Sequence, residues 1–142
     1  MLFGGINLTT HHPNIMNAPT SWILRIVPAV IIAQTLPFKF TGAADSKALF
    51  TTLAEKALGN PGLEALPRLG TGVMELIAII LLFIPKFSTK GALLIVGIMG
   101  GALIGHVAFL GFAGMHGQLA AMAVVALLTA GAYLILSRRA AK

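Results

Sequence analysis

A carboxylate inside an apolar segment is the feature of this chain that most restricts its fold. Glu75 is followed directly by the uninterrupted apolar run 76–84. An ionised carboxylate in hydrocarbon costs several kcal/mol unless it is paired, protonated or next to a wet cavity. The Glu75 side chain must therefore lie between helices that separate it from lipid, in a membrane protein with a polar interior feature.

The composition indicates an integral membrane protein. Hydrophobic residues make up 57% of the 142 residues and charged residues only 10%, whereas a soluble domain carries about 25% charged residues. In lipid the backbone groups must be satisfied within each segment, so the predicted fold class is all-α, a four-helix transmembrane bundle. The predicted spans are residues 21–38, 68–84, 91–110 and 118–136. They form one domain, 21–137, between a flexible N-terminal tail at 1–20 and a basic cytoplasmic tail at 138–142.

The polar connection between the first two spans predicts a short amphipathic helix. Asp45 and Ser46 resemble a helix start, and the segment 59–62 (GNPG) resembles a stop. Leu49 and Leu53 recur between them at helical spacing. This helix either lies outside the membrane, on its surface or as a cap on the bundle, or is an ordinary loop helix.

The net charge of +6 predicts orientation rather than nucleic-acid binding, because the basic residues lie at the ends of the spans. The lipid bilayer is thus the expected partner, and nucleic acid is not. The N-terminal segment has no Lys or Arg before Arg25 and is not expected to be a cleaved signal peptide. With four spans, one side would hold Arg25, Lys86, Lys90, Arg138, Arg139 and Lys142, and the other Lys39, Lys47, Lys56 and Arg68, diluted by Asp45, Glu55 and Glu64. This bias places both termini in the cytoplasm.

The chain offers no recognisable catalytic or cofactor motif. The absence of cysteine excludes disulfides, thiol redox chemistry and cysteine-ligated metal. We assign no catalytic residue and no metal ligand, the pair His11 and His12 included. No catalytic activity is expected of the chain on its own.

A polar cluster around Glu75 is the candidate site. Arg68, Thr71 and Glu75 share one helix face, where the Thr71 hydroxyl could hydrogen-bond the carboxylate. Helical rise places Glu75 about 10 Å below the outer surface, and the same depth holds Gln34, Lys39 and His106. We predict that Glu75 faces the bundle interior and pairs with Lys39, Arg68, Gln34 or His106. The cluster either binds a ligand or only fixes the helix register.

Small residues on the third span predict a close helix contact. Gly97, Gly101 and Gly105 recur at intervals of four, and Ala126 and Ala130 could meet them from the fourth span. Packing within one chain and a homodimer through the three glycines are both open.

Three segments resemble DoxX-like small membrane proteins. Residues 34–43 (QTLPFKFTGA) resemble the end of the first span in that family, and residues 68–76 (RLGTGVMEL) resemble the beginning of the second span. Residues 105–111 (GHVAFLG) resemble the end of the third. The likeness covers about residues 22–139. One departure is the turn at 112–116, which has no carboxylate here although many similar proteins are acidic there.

The resemblance implies four transmembrane helices in the bacterial cytoplasmic membrane. Most members have no established activity, and some relatives are implicated in thiosulfate-linked or quinone-linked redox and in oxidative-stress complexes. Two hypotheses follow for this chain. It is a non-catalytic membrane subunit or small-ligand binder, or it is a quinone-linked redox subunit. In the second case Glu75 and His106 would hydrogen-bond quinone oxygens, and a partner protein or a bound cofactor would supply the redox centre.

Overall fold

The computed structural model describes residues 16–141, and every regular element in that range is helical. Four helical segments are long and apolar enough to cross a membrane: Ala18–Thr41, Pro61–Phe83, Ser88–Leu110 and Met115–Ala140. The all-helical class and the four apolar helices of the prediction are confirmed. This arrangement is consistent with a multi-pass membrane protein.

The first apolar segment consists of two helices, α1 (Ala18–Ala33) and α2 (Leu36–Thr41). The side chain of Asn17 caps α1, so the helix begins three residues before the predicted span. Residues 1–15 of the predicted tail lie outside the described residues. The break between α1 and α2 precedes Pro37, which has no N–H to bond the carbonyl of Ala33. It lets α2 leave the direction of α1.

Helix α3 (Ala44–Leu58) follows α2 directly. Gly42 before it and Gly59 after it have φ of 67° and 71°, a left-handed conformation that glycine adopts without strain. Phe50 and Ala54 of α3 are buried against the bundle. The position of α3 outside the apolar layer stays a prediction.

The remaining spans are α4 (Ala65–Phe83), α5 (Ser88–Gly105) and α6 (Met115–Ala140). A 3-10 turn at Pro61–Leu63 precedes α4, and a π-helical turn at His106–Leu110 continues α5. Arg138 and Arg139 belong to α6, so the predicted basic tail is helical up to Ala140.

Small side chains set the packing of the core. Helix α5 packs between α4 and α6, and α1 packs against α6. Gly91 of α5 lies so close to Leu82 and Ala78 of α4 that an added Cβ would overlap their backbone atoms. The fully buried alanines of this core are Ala78, Ala92, Ala126 and Ala130. Residues this small let helix backbones approach closely when lipid provides no hydrophobic driving force.

The predicted packing of the α5 glycines within one chain is wrong for two of the three positions. A Cβ added at Gly97 or Gly101 would meet no atom within 4 Å, so neither glycine accommodates a neighbouring helix within the chain. Gly105 faces Leu53 of α3 instead. The α5 residues that join Ala126 and Ala130 in the core are Ala92, Ile95 and Met99. The homodimer interpretation stays a prediction.

The outward faces of the four long helices are apolar. Val30 of α1, Ile80 of α4, Leu93 of α5 and Leu128 of α6 are all more than half exposed. A water-soluble bundle would carry polar side chains on such faces. The distribution is that of helices surrounded by lipid.

Candidate ligand-binding site

The Glu75 carboxylate forms a buried ion pair with Lys39. The Nζ atom of Lys39, on α2, lies 2.5 Å from both carboxylate oxygens of Glu75, on α4. The side chains are 14% and 4% exposed. Of the four partners predicted for Glu75, Lys39 is the one that the structure shows, and the ion pair joins the end of the first apolar segment to the middle of the second.

Arg68 supports this pair indirectly. Its Nε donates to Glu64 at 2.7 Å, and one terminal nitrogen donates to the backbone carbonyl of Lys39. Arg68 therefore does not pair with Glu75, but it positions the backbone that carries the Lys39 side chain. Glu64 was not among the predicted site residues, although its place four residues before Arg68 is the spacing of a helical ion pair.

Thr71 has no part in the cluster. Its hydroxyl donates to the carbonyls of Pro67 and Arg68, at 2.7 and 3.2 Å, within its own helix. The predicted hydrogen bond from Thr71 to Glu75 is therefore wrong. Threonine inside a helix often satisfies its hydroxyl on the preceding turn, which removes it from longer-range contacts.

Gln34 and His106 are separate from the ion pairs as well. The amide nitrogen of Gln34 lies 3.3 Å from the sulfur of Met122. The Nδ1 atom of His106, a residue 4% exposed, lies 3.2 Å from the carbonyl oxygen of Gly111. Neither side chain is hydrogen-bonded to Glu75, so the predicted residues do not form one hydrogen-bonded network.

A cavity of about 460 Å³ nevertheless brings four of them together. Gln34, Lys39, Glu75 and His106 all line it, whereas Arg68 and Thr71 do not. Most of the wall is apolar, contributed by α1, α2, α3, α5 and α6. Its other residues are Ile31, Ile32, Thr35, Phe38, Asp45, Ser46, Leu49, Phe50, Met99, Ala102, Met115, Leu119, Met122 and Ala123.

The cavity lies beside the break in the first apolar segment. Helix α1 packs against α6 and α4, whereas α2 packs against α4 and α3. Gln34, at the break, still contacts Met122 of α6, and residues of α2 and α6 then line the cavity from different sides. Proteins bind small molecules in concave, mainly apolar sites of about 300–1,000 Å³ with a few polar groups, which is the character of this cavity.

The contributions of α3 and of three methionines to the cavity wall were not predicted from the sequence. Asp45 and Ser46 line the cavity, although the pattern identified them only as a helix start. Met99, Met115 and Met122 line it from α5 and α6. Methionine side chains are flexible and polarizable and adapt to ligands of irregular shape. Nothing in their spacing indicates that all three face one space.

Within residues 16–141 no group of three or more His, Asp or Glu side chains is placed to hold a metal ion. His11 and His12 lie outside the described residues. No protein family, no curated protein and no solved structure matches the chain.

Proposed function

We propose that this chain is a small membrane protein of DoxX-like type that binds a small, largely apolar ligand in the cavity beside Lys39 and Glu75. It has no catalytic activity of its own and acts as a membrane subunit or ligand carrier. The observation that supports this function is the cavity itself, about 460 Å³ in volume, with an apolar wall and a buried ion pair at its side.

The arrangement of the wall favours binding over a purely structural role. A buried ion pair is weak evidence for stability, because well-packed hydrophobic residues of similar volume are often as stable or more so. Here the pair borders open space instead of closing it. Apolar atoms of a ligand in that space gain about 25 cal/mol per Å² of area removed from water. The polar side chains then fix the orientation of the ligand.

Native mass spectrometry of protein released from a mild detergent tests the proposal. We expect a retained small molecule in the wild-type spectrum. The variant Leu119→Trp fills the cavity and should lose that molecule, whereas Leu128→Trp, on the exposed face of the same helix, should keep it. A wild type without any bound molecule, or a filled variant that retains as much as the wild type, would contradict the proposal.

The second candidate is a quinone-linked redox subunit that acts with a partner protein. The observation that favours it is that Glu75 and His106 both line the same apolar cavity, where their protonated forms could donate hydrogen bonds to a quinone and relay protons. Addition of decylubiquinone should then raise the melting temperature of the wild type and leave that of Leu119→Trp unchanged. No protection, together with no quinone in the gently purified protein, would argue against this candidate.

We place the protein in the bacterial cytoplasmic membrane with both termini in the cytoplasm. The charge distribution supports this orientation, because all four acidic residues lie between Asp45 and Glu75 and the basic C-terminal end of α6 has none. The cavity would then lie in the outer half of the membrane. A reporter fused at Lys142 should behave as cytoplasmic, and a tag near Asn60 should react from outside. The reverse labelling would overturn the orientation.

The glycine face of α5 is a candidate contact for a second copy of the chain. Gly97 and Gly101 are exposed and leave room for the close approach of another helix. The double variant Gly97→Leu, Gly101→Leu should lower the fraction of dimer measured by light scattering in detergent. A dimer fraction equal to that of the wild type would exclude this interface.

A further inference from the structure

We propose that the ligand of the cavity is an uncharged molecule whose polar end is a hydroxyl group, a phenol or an alcohol, that donates a hydrogen bond to Nε2 of His106. This inference rests on the proposed binding function and narrows it to one chemical class.

The hydrogen bond of His106 determines which of its ring nitrogens carries hydrogen. Nδ1 lies 3.2 Å from the backbone carbonyl oxygen of Gly111. A carbonyl oxygen can only accept, so Nδ1 must be the donor. In the neutral imidazole the other nitrogen, Nε2, then carries a lone pair and is an acceptor.

The turn that follows α5 holds the ring in this orientation. The Gly111 N–H donates to the carbonyl of His106 at 2.8 Å, which closes the π-helical turn. Gly111 has φ of 75°, which glycine adopts without strain, and its carbonyl oxygen lies 3.2 Å from Nδ1 of His106. The ring also stacks on Phe112 and meets His116 edge-on, with centroids 6.2 and 6.1 Å apart. Backbone hydrogen bonds and two rings thus fix the direction of Nε2.

The Nε2 atom has no hydrogen-bond partner among residues 16–141. Within that range the only side-chain nitrogen or oxygen that is both enclosed and unpartnered is Nδ1 of His116. The Nε2 atom of His106 therefore keeps some open space beside it, and His106 lines the cavity. An apolar ligand without a hydrogen-bond donor would displace water from Nε2 and leave this acceptor without a partner. A ligand hydroxyl group would donate to Nε2 and satisfy it.

The charges around the cavity exclude an anion and do not provide for a cation. The charge of Lys39 is neutralised by Glu75, and Asp45 adds a negative charge at the rim. An anionic ligand would therefore meet no unpaired positive group. Asp45 is exposed, so water and salt screen its attraction for a cation. A ligand whose polar end is uncharged can bind to this wall without burying an unpaired charge.

Four probes with one ring system test the inference on wild-type protein in phosphatidylcholine nanodiscs, with empty nanodiscs as the blank. They are 2-naphthol, 2-methoxynaphthalene, 2-naphthoate and 2-naphthylmethylammonium at pH 7. We expect 2-naphthol to bind about ten-fold more tightly than 2-methoxynaphthalene, since one net hydrogen bond separates them. The two ions should bind no better than 2-methoxynaphthalene.

Two variants assign the preference to His106. In His106→Phe the ring remains and the acceptor is lost, so the naphthol preference should disappear while 2-methoxynaphthalene still binds. In Gln118→Leu, which changes an exposed polar residue of α6 that does not line the cavity, the preference should remain. Melting curves show whether each variant is folded, and the probe series on the wild type stands even where His106→Phe does not fold.

The outcomes distinguish a failure of the hydroxyl preference from a failure of the proposed binding function. Equal binding of 2-naphthol and 2-methoxynaphthalene to the wild type would overturn the hydroxyl preference and leave the binding function standing. Tightest binding of either ion would overturn the uncharged class. If no probe binds above the empty nanodiscs, the inference and the proposed function both fail.

Discussion

The two ends of this bundle are built in different ways. At one end, Lys39 and Glu75 form a buried ion pair beside a cavity. At the other end there is no acidic side chain among the described residues, and hydrogen bonds between neutral groups link the helices. There the hydroxyl of Tyr133 donates to Ser88 at 2.8 Å, and the hydroxyl of Ser88 donates to the Pro85 carbonyl at 3.1 Å.

Aromatic contacts complete the second end. Trp22 of α1 stacks on Phe83 of α4 with centroids 6.2 Å apart, and the guanidinium of Arg25 lies 4.5 Å from the Trp22 ring centre. We call the region around Tyr133 and Trp22 the closed end, and the region around Lys39 and Glu75 the cavity end. The closed end is thus joined by neutral hydrogen bonds and aromatic contacts, and the cavity end by a buried ion pair beside open space.

The largest expected loss of stability follows from removing one partner of the ion pair. Lys39→Met leaves the Glu75 carboxylate buried without a partner and should lower the free energy of unfolding by about 3–5 kcal/mol. The double variant Lys39→Met, Glu75→Leu should recover most of this loss, because no charge remains. Unfolding of the wild type, both single variants and the double variant in one detergent completes the cycle. A loss below about 1 kcal/mol for Lys39→Met would show that water screens the pair.

A substitution of Glu75 tests whether this residue acts in ligand binding or only in the structure. Glu75→Gln keeps the shape of the side chain and part of its hydrogen bonding. If Glu75 acts in ligand binding, this variant should remain folded and lose the retained molecule in native mass spectrometry. If Glu75 only fixes the helix register, the variant should melt at a lower temperature and still retain the molecule.

The next largest effect is expected in the core next to the closed end. Gly91→Ala places a Cβ against backbone atoms of α4, which should cost about 1–3 kcal/mol as α4 and α5 move apart. The matched control is Gly97→Ala on the same helix, where the added methyl group has open space. It should be neutral or stabilising by up to about 1 kcal/mol. Equal effects of the two substitutions in thermal unfolding would contradict the tight packing of α4 against α5.

The smallest effect concerns the hydroxyl of Tyr133. Tyr133→Phe removes the hydrogen bond to Ser88 and should cost about 1 kcal/mol. Thr129→Val, on the same helix, removes a hydroxyl that bonds only to its own backbone, at Val125 and Ala126. Its effect should be close to zero. If Tyr133→Phe unfolds at the same temperature as the wild type, neutral hydrogen bonds do not hold the closed end.

Hydropathy and charge made much of this architecture predictable. Four apolar stretches and a carboxylate within one of them require a helical bundle with a protein interior that shields the carboxylate from lipid. Few basic residues lie at the predicted depth of Glu75. Lys39 was among them because both ends of its segment could be located from the pattern. These inferences rely on the cost of exposing a backbone group or a charge to lipid, which any sequence must satisfy.

The remainder depends on helix rotation and direction, which hydropathy leaves open. The glycines of α5 are well spaced for packing, yet Gly97 and Gly101 face outward because Ala92 and Ile95 occupy the interior face. Asp45 lines the cavity because α3 packs beside α2. The cavity depends on how α2, α3 and α6 lie relative to one another, and no local pattern encodes the volume between helices.

The burial of Arg68 on α4 has a consequence for the bilayer around the protein. The guanidinium bonds to Glu64 and to the Lys39 carbonyl and is only 6% exposed, so its charge is turned away from lipid. Leu66 and Leu69, on either side of it, are the residues that face outward. From Pro61 to Phe83 the segment rises about 33 Å, which matches the typical hydrocarbon thickness of about 30 Å. Lipids next to α4 can therefore keep their normal length although a guanidinium lies within the span.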